Sequence, residues 1–199
     1  IIPSILHSNT PGENIAKVTP FAYENKDGTR IGDPNAKVKI IIYSDFQCSA
    51  CKKYEAEVEP QVMREIVNPG LAYYEFRQFP FLDDQSTYNG SDMAALASEC
   101  AAEQNRFWEF KQIVYANQTG VADQFSIERL KSFAKTARLD TDAFNTCFDT
   151  AKFQAKVDAD RKLGDEAGVT GTPTMFVNGI DVSPGMMPTF DQINALVQQ

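Results

Sequence analysis

Two cysteines separated by two residues, Cys48 and Cys51, most constrain what this chain can fold into. They follow a largely apolar, β-branched run, Val38–Tyr43, which has the composition of a buried strand. After them, apolar residues recur every three or four positions, as on one face of a helix. The pair therefore lies where a buried strand ends and an amphipathic helix begins, and the apolar stripe of that helix consists of Cys51, Tyr54, Val58, Val62 and Ile66.

This position predicts a redox-active pair. Cys48 would occupy the helix N-terminus, where unpaired N–H groups and the helix dipole favour a thiolate and lower its pKa below the usual value of about 8.5. Cys51 would be shielded one turn further along, within reach of a disulfide bond to Cys48. Thiol–disulfide exchange requires this combination, because the first sulfur attacks or is attacked and the second resolves the mixed disulfide.

Two other interpretations of the pair stay open. The cysteines could supply half of a zinc site, but the sequence has no second C-x-x-C, and its one histidine, His7, lies in the N-terminal segment. They could also form a purely structural local disulfide, which is unusual where a strand meets a helix. We therefore predict that Cys48 and Cys51 are catalytic, with no metal site and no cofactor.

The N-terminal half of the chain predicts a βαβ unit. A short strand is expected at Thr19–Tyr23, followed by a turn at Asp27-Gly28. Pro60 should kink the helix that follows Cys48, because proline lacks the N–H group that a helix interior needs. The next strand is expected at Leu71–Phe81, parallel to the strand that precedes the cysteines.

The C-terminal half predicts helices and then a return to the sheet. A long helical stretch, Ser91–Ala167, carries Cys100 and Cys147 on two of its apolar stripes. Strand character returns at Thr174–Val177, a hairpin turn follows it, and Thr189–Val197 predicts a closing helix. The chain is therefore predicted to be an α/β domain interrupted by a helical insertion.

Composition narrows the partners and the compartment. The formal net charge of -8 argues against nucleic acid as a partner. Four cysteines, two of them far apart, favour an oxidising compartment. No apolar run approaches the roughly 18 residues of a membrane span. Residues 1–18 lack periodicity and predict a flexible tail, and because the chain begins at Ile1 we expect that a signal or anchor has been removed.

Four groups of residues stand in a fixed order that makes a more specific pattern than C-x-x-C alone: Ile31–Ala36, Ser44–Cys51, Cys100–Gln104 with Phe107–Glu109, and Gly168–Gly179. Together they resemble the DsbA-like branch of the thioredoxin superfamily. The similarity runs from about residue 19 to the C-terminus. It is closest to members that are served by re-oxidases of the DsbB or vitamin-K-epoxide-reductase type.

The resemblance implies a thioredoxin fold with an inserted helical subdomain. Residues 19–88 and 168–199 would form the thioredoxin-like domain, and residues 89–167 the helical insertion. A cis peptide between Thr172 and Pro173 would face the cysteines, and the strand edge beside it would accept an extended substrate backbone. The implied substrate-binding residues are Ser49, Ala50, Thr172 and Pro173.

The resemblance also pairs Cys100 with Cys147, because related proteins carry such a structural disulfide. Closing a loop of that size would contribute about 4 kcal/mol. Two unpaired core thiols and a second redox pair remain alternatives.

The implied activity is that of an extracytoplasmic thiol–disulfide oxidoreductase. The leading interpretation is a dithiol oxidase that acts through Cys48. Its partners would be unfolded or reduced exported polypeptides and a membrane re-oxidase of the DsbB or vitamin-K-epoxide-reductase type, and the protein would be a monomer. Isomerisation or reduction by the same site is one alternative. A non-catalytic binding module or folding chaperone on a thioredoxin scaffold is another.

The sequence departs from the family pattern at two sites. Ser49-Ala50 replaces the Pro-His of the strongest oxidants, so that no imidazolium stabilises the Cys48 thiolate. We therefore predict a milder oxidant, with a pKa of Cys48 that is not below about 4. Ile42 replaces a buried acid that often assists proton transfer at the second sulfur in relatives; Asp45, Glu75 or water would have to take over that role.

Overall fold

The sheet of this protein has six strands in the order β1-β2-β4-β3-β5-β6. The structure is a computed structural model, and it describes residues 15, 16, 18, 19, 21–121 and 124–199. The central strands β3 and β4 are parallel, and the other neighbouring strands are antiparallel. The predicted α/β architecture is confirmed. The strands are β1 (Lys26–Asp27), β2 (Arg30–Ile31), β3 (Val38–Ser44), β4 (Ala72–Gln78), β5 (Thr174–Val177) and β6 (Ile180–Asp181).

Helices follow the sheet strands and fill the interval between β4 and β5. Five of them, α3 to α7, lie in that interval, where the sequence predicted a helical stretch. None of the helices in the described part of the chain is long and apolar enough to cross a membrane. They are α1 (Ser49–Glu57), α2 (Glu59–Val62), α3 (Gly90–Glu103), α4 (Phe107–Ala116), α5 (Ile127–Thr136), α6 (Thr141–Asp149), α7 (Gln154–Glu166) and α8 (Phe190–Val197).

The helix that carries the cysteines is interrupted next to Pro60, as predicted. Helix α1 ends at Glu57, Val58 leaves the regular helix with a φ of -114°, and α2 begins with Pro60 in its first turn. Proline is tolerated there because the first N–H groups of a helix have no partner inside the helix. The chain then continues through one π-helical segment, Met63–Val67, before the turn into β4.

The strand predicted at Thr19–Tyr23 is wrong. The described residues of that segment belong to no strand, and the first strand in the described part of the chain is β1, which forms a hairpin with β2. The N–H group of Phe21 donates to the side chain of Gln112 in α4 instead of to a neighbouring strand. A strand needs a backbone edge to pair with, and this segment meets the side chains of a helix.

Most of the tail predicted for residues 1–18 lies outside the described residues. Within it, the N–H group of Ala16 donates to Oδ1 of Asn117 at 2.7 Å. Ile15 and Val18 pack against the core as partly buried side chains.

One hydrophobic core joins the sheet to the helices between β4 and β5. Ile42 and Phe76 from the sheet belong to the same buried cluster as Phe107 and Trp108 from α4. Alternation along β3 places Ile40, Ile42 and Ser44 on the face that meets this core. Among the helices, Cys100 in α3 and Cys147 in α6 are joined by a disulfide bond. The sheet face that carries Ser44 is therefore the face against which α1 and α4 are packed.

Candidate active site

Cys48 lies between the end of β3 and the start of α1. Its N–H group donates to the carbonyl oxygen of Asp45 at 3.1 Å, and its own carbonyl oxygen accepts the N–H group of Lys52. It occupies the N-cap position, while Cys51 is in the first turn of α1. The Cys48 side chain is 9% exposed and the Cys51 side chain 2% exposed. The strand and helix thus present one sulfur near the surface and bury the other.

The environment gives the two thiols very different acidities. The pKa of Cys48 is lowered to about 6, chiefly by a hydrogen bond from Cys51 and further by the Thr172 side chain and the N–H groups of Ala50 and Cys51, although burial opposes the shift. Burial raises the pKa of Cys51 well above its usual value, and the charge of Cys48 raises it further. At neutral pH, Cys48 is therefore a thiolate and Cys51 a thiol.

The loop before β5 faces the two sulfurs. The Thr172–Pro173 peptide bond is cis, and Sγ of Cys48 lies 3.2 Å from the carbonyl oxygen of Thr172, to which it donates a hydrogen bond when it is protonated. The Thr172 hydroxyl lies buried beside the sulfurs and lowers the pKa of both. Its oxygen has no hydrogen-bond partner of normal geometry in the part of the chain that the structure describes. The structure thus brings Thr172 and Pro173 together with the cysteine pair.

A cavity of about 420 Å³ opens beside this loop. Ala50 lines it on one side and Thr172 and Pro173 on the other, whereas Ser49 is exposed and does not line it. Met186, on the loop after β6, also lines the cavity and is 67% exposed. Asp181 is the one charged residue in the lining that the structure describes. A large apolar side chain at the mouth of such a cavity suits contact with an unfolded polypeptide.

The two acids considered as replacements at position 42 are both engaged elsewhere. Glu75 lies opposite Ile41 in the parallel pair of strands, on the other face of the sheet from Ile42, and it pairs with Arg77 at 3.1 Å. The Asp45 carboxylate accepts hydrogen bonds from three groups, and burial raises its pKa to about 6. Its donors are the Ser91 hydroxyl and the N–H groups of Gln47 and Leu82.

Three residues near the sulfurs were missed in the sequence. Ser44 and Tyr115 share a buried hydrogen bond of 2.8 Å between their hydroxyl oxygens. Gln118, after α4, donates to the carbonyl oxygens of Phe46 and Cys48 at 2.7 and 3.1 Å, which fixes the chain that enters α1. The alternation of β3 could have placed Ser44 on the core face. Tyr115 and Gln118 carry no such signal, because they reach the site from α4 and the segment after it, far from β3 in the sequence.

The ionisation of Cys48 gives a first prediction. Raising the pH through about 6 should convert the Cys48 thiol to a thiolate, detected by ultraviolet absorbance and by the rate of alkylation. The folded-state pKa is depressed, so the reduced protein should gain stability as the pH rises from about 6 towards the unfolded value of about 8.5. Cys48→Ala should lack this transition. An apparent pKa near 8.5 in the wild-type protein would contradict the assignment.

Known proteins similar to this chain include members of the thioredoxin family and disulfide bond formation proteins. A thioredoxin family model matches residues 24–199. The probable disulfide bond formation protein D of Bacillus cereus is 28% identical over 169 residues, covering 82% of this chain and 75% of the relative. Na(+)/H(+) antiporter NhaA 3 of Salinispora tropica is 32% identical over 148 residues, which cover 74% of this chain but 21% of that protein. The chain thus spans about a fifth of the antiporter's length.

Solved structures share the architecture. BdbD from Bacillus subtilis in its oxidised form superposes with a TM-score of 0.75 at 22% identity, covering 88% of this chain and 94% of BdbD. Chlamydia trachomatis DsbA superposes with a TM-score of 0.73 at 23% identity, covering 92% and 95%. The predicted resemblance and the thioredoxin fold with helices inserted between its strands are confirmed.

Proposed function

This chain belongs to the thioredoxin family and is a thiol–disulfide oxidoreductase, and we propose that it is an extracytoplasmic dithiol oxidase that introduces disulfides into exported polypeptides. The observation that carries the proposal is the contrast between Cys48 and Cys51. The outer sulfur is the less buried of the two and is stable as a thiolate, whereas the inner sulfur is more deeply buried and stays protonated. A stable outer thiolate is a good leaving group, so the site favours handing its disulfide to another protein.

The proposed reaction has two exchange steps. A substrate thiolate attacks Sγ of Cys48 in the oxidised pair, the Cys48–Cys51 bond breaks, and Cys51 leaves with the electron pair and is then protonated. A second substrate thiolate attacks the substrate sulfur of the mixed disulfide, and Cys48 leaves as the thiolate. The substrate has lost two electrons as its disulfide forms, and the Cys48/Cys51 pair has gained them.

The pKa of Cys48 sets the expected strength of the oxidant. At pH 7, a fall in pKa from the ordinary value of 9.0 to about 6 stabilises the reduced form by about 1.4 kcal/mol, which corresponds to about 30 mV. A pKa of about 3.5, as in the strongest oxidant of this class, would give roughly 100 mV on the same basis. The strongest oxidant has a potential of about -120 mV, and a stabilisation smaller by roughly 70 mV gives a milder oxidant with an expected potential of roughly -190 mV.

Substrate would bind across the Thr172–Pro173 loop. Strand β6 pairs with β5 only from Met175 onwards, so the backbone before that point is left for an extended substrate. The cavity beside Ala50 and Met186 would receive an apolar side chain. Recognition through main-chain contacts, with a single cavity beside them, suits unfolded polypeptides of varied sequence. We propose Ala50, Thr172 and Pro173 as the contacting residues, with exposed Ser49 at the rim.

A membrane re-oxidase would restore the Cys48–Cys51 disulfide. Support comes from the similarity to disulfide bond formation protein D, and a buried disulfide between Cys100 and Cys147 suits an oxidising compartment outside the cytoplasm. We propose a re-oxidase of the DsbB or vitamin-K-epoxide-reductase type, and a monomeric form of the chain.

The reduction potential tests the direction of the reaction. The protein is equilibrated with glutathione buffers, and the Cys48/Cys51 state is followed by alkylation and mass spectrometry, with the Cys48→Ala/Cys51→Ala variant as the blank. We expect a value of roughly -190 mV or more oxidising, together with oxidation of a reduced, unfolded protein substrate. A potential near -270 mV would contradict the oxidase and favour a reductase.

A further inference from the structure

The cavity beside the cysteine pair has a mixed lining. Residues of the loop before β5 form one part of it, and Met186 and Met187 form another. Asp181 supplies the one charged side chain of the lining in the described part of the chain. Methionine side chains together with a carboxylate suit a ligand group that has an apolar stem and a cationic end.

The register of β5 and β6 determines the face of the sheet from which Asp181 projects. Asp181 lies opposite Phe176, and directly opposed residues of antiparallel strands project from the same face. Thr174 precedes Phe176 by two residues, so alternation along β5 places it on that face as well. Thr174 directly follows Pro173 and also lines the cavity. The Asp181 carboxylate is therefore on the face where the loop of Pro173 enters the sheet.

The Asp181 carboxylate has acceptor sites that the protein leaves open. The residue is half-buried, and its Oδ1 accepts the N–H group of Ser183 at 3.0 Å. None of the ion pairs among the described residues includes Asp181. The acids at the end of α7 differ from it, because Asp165 and Glu166 each pair with a cation of their own helix. A carboxylate can accept about four hydrogen bonds, so Asp181 can take donors from a ligand.

Other charges near the cysteines do not duplicate or neutralise Asp181. On α1, Lys52 donates to a carbonyl oxygen after α4, and Lys53 pairs with an acid of its own helix. In the oxidised protein Cys48 carries no charge, because its sulfur is part of the disulfide. A reduced substrate that approaches the oxidised site therefore meets one negative charge in the cavity, that of Asp181.

We propose that Asp181 gives the enzyme a preference for substrates with lysine or arginine close to the reacting cysteine. The proposal rests on the proposed exchange function and adds the class of substrate. The methylene stem of the basic side chain makes the apolar contact with Met186 and Met187, and its charged end donates to the Asp181 carboxylate. The exchange chemistry at Cys48 is unchanged, and Asp181 acts on the binding of the substrate.

The length of the strand sets the position of the basic residue. The carbonyl oxygen of Thr172 lies beside Sγ of Cys48, and Asp181 is opposite Phe176, four residues further along. At about 3.3 Å per residue, an extended substrate covers that distance in roughly three or four residues. Because a lysine or arginine side chain is itself long, it reaches Asp181 from a position about two or three residues from the substrate cysteine.

The preference is measured with oxidised protein and reduced peptides that contain one cysteine. Lysine, glutamine or glutamate is placed two or three residues before or after it. Each rate constant is divided by that of the same peptide with glutathione disulfide, which removes the effect of the neighbouring charge on the peptide thiol. The wild-type protein should favour the best-placed lysine peptide over its glutamine counterpart by about 3- to 10-fold at low salt. The preference should shrink as the ionic strength rises.

Substitutions at Asp181 test the assignment. Asp181→Asn keeps the shape and an acceptor for Ser183 and should remove the preference, whereas Asp181→Lys should favour the glutamate peptide. Asp165→Asn is the matched control, because it changes the net charge equally three residues before Gly168 of the lining. If Asp181→Asn prefers lysine within twofold of the wild-type protein, the role of Asp181 is overturned. Equal loss in Asp165→Asn would also overturn it, since the overall negative charge would then explain the preference.

Binding without exchange separates this proposal from the proposed function. Peptides with serine in place of cysteine are titrated into the oxidised protein, and the methyl signals of Met186 and Met187 are followed by NMR. Tighter binding of the lysine peptide, lost in Asp181→Asn, supports the specificity site whether or not a disulfide is transferred. Equal binding of the lysine and glutamine peptides, or no shift with either, overturns it. A wild-type protein that oxidises no peptide contradicts the oxidase alone. Either Asp181 variant serves by itself if the other does not fold.

Discussion

Replacing Cys51 with alanine should turn Cys48 into a trap for substrate. The variant keeps the outer, less buried sulfur but loses the thiol that resolves the mixed disulfide. Resolution by Cys51 is intramolecular, so its loss should slow release of the bound peptide by on the order of 10³-fold or more. The variant should also show a raised pKa of Cys48, because the hydrogen bond from Cys51 is the largest cause of its low value.

The trap can be measured with a defined reaction. Cys48 in the Cys51→Ala variant is first converted to a mixed disulfide with thionitrobenzoate, and a reduced peptide with one cysteine is then added. The peptide thiolate displaces thionitrobenzoate, and mass spectrometry follows the peptide–Cys48 adduct over time. Cys48→Ala is the matched control, in which the remaining redox thiol is buried. Rapid release of the peptide from Cys51→Ala, or equal trapping by Cys48→Ala, would refute exchange through Cys48. Either result would instead favour a non-catalytic binding module.

Replacing Lys111 with methionine should cost the protein about 3–5 kcal/mol of stability. The Lys111 ammonium is fully buried, lies 2.6 Å from Glu59 and also binds Glu55. Two tyrosine hydroxyls complete the shell of Glu59, from Tyr23 at 3.0 Å and Tyr74 at 3.2 Å. Removing the cation leaves two carboxylates in a region where neither is solvated, and such a break costs more than the pair itself contributes.

The pH dependence of the variant should report these carboxylates. Burial, with the neighbouring charge of Glu59, already raises the pKa of Glu55 to about 7 despite Lys111. Without Lys111 that pKa should rise further. A raised carboxyl pKa means that the folded protein binds the proton more tightly, so the stability of the variant should fall as the pH rises from about 4.5 through 7. Urea unfolding at several pH values measures this slope.

Two companion variants make the result specific. Lys111→Met with both Glu55→Gln and Glu59→Gln removes all three charges and should recover much of the lost stability. Lys131→Met removes a surface partner of Asp149 and should cost less than about 1 kcal/mol. A loss of that small size in Lys111→Met itself would show that water reaches the cluster.

The local features of the site were predictable from the sequence because neighbouring residues determine them. The run that ends at Tyr43 and the apolar stripe from Cys51 placed the cysteine pair between a strand and a helix, and Pro60 marked the break in that helix. Strand β5 was predicted with its observed bounds. The capping box of Thr189 and Gln192 at the start of α8 is likewise a property of adjacent residues.

Where a segment meets a distant partner, its neighbours alone do not fix its structure. The β-favouring residues of 19–23 predicted a strand, but a strand forms only beside a free backbone edge, and Phe21 meets the side chain of Gln112 instead. The replacement for an acid at Ile42 was sought in Asp45 and Glu75. Side-chain alternation sends Glu75 to the other face of the sheet, and Asp45 accepts hydrogen bonds from the nearby Gln47 N–H group and from the distant Leu82 and Ser91.

By itself, then, the sequence determined the position of the Cys48/Cys51 pair and the contrast between an outer and an inner sulfur, because helix termini and apolar periodicity are local properties. The tertiary structure alone decided what surrounds each sulfur. It brought Tyr115 of α4 to Ser44 of β3, and it buried Lys111 against Glu55 of α1 and Glu59 of α2. These groups come together because α4 packs across the face of the sheet that carries the pair, and that packing depends on the whole core.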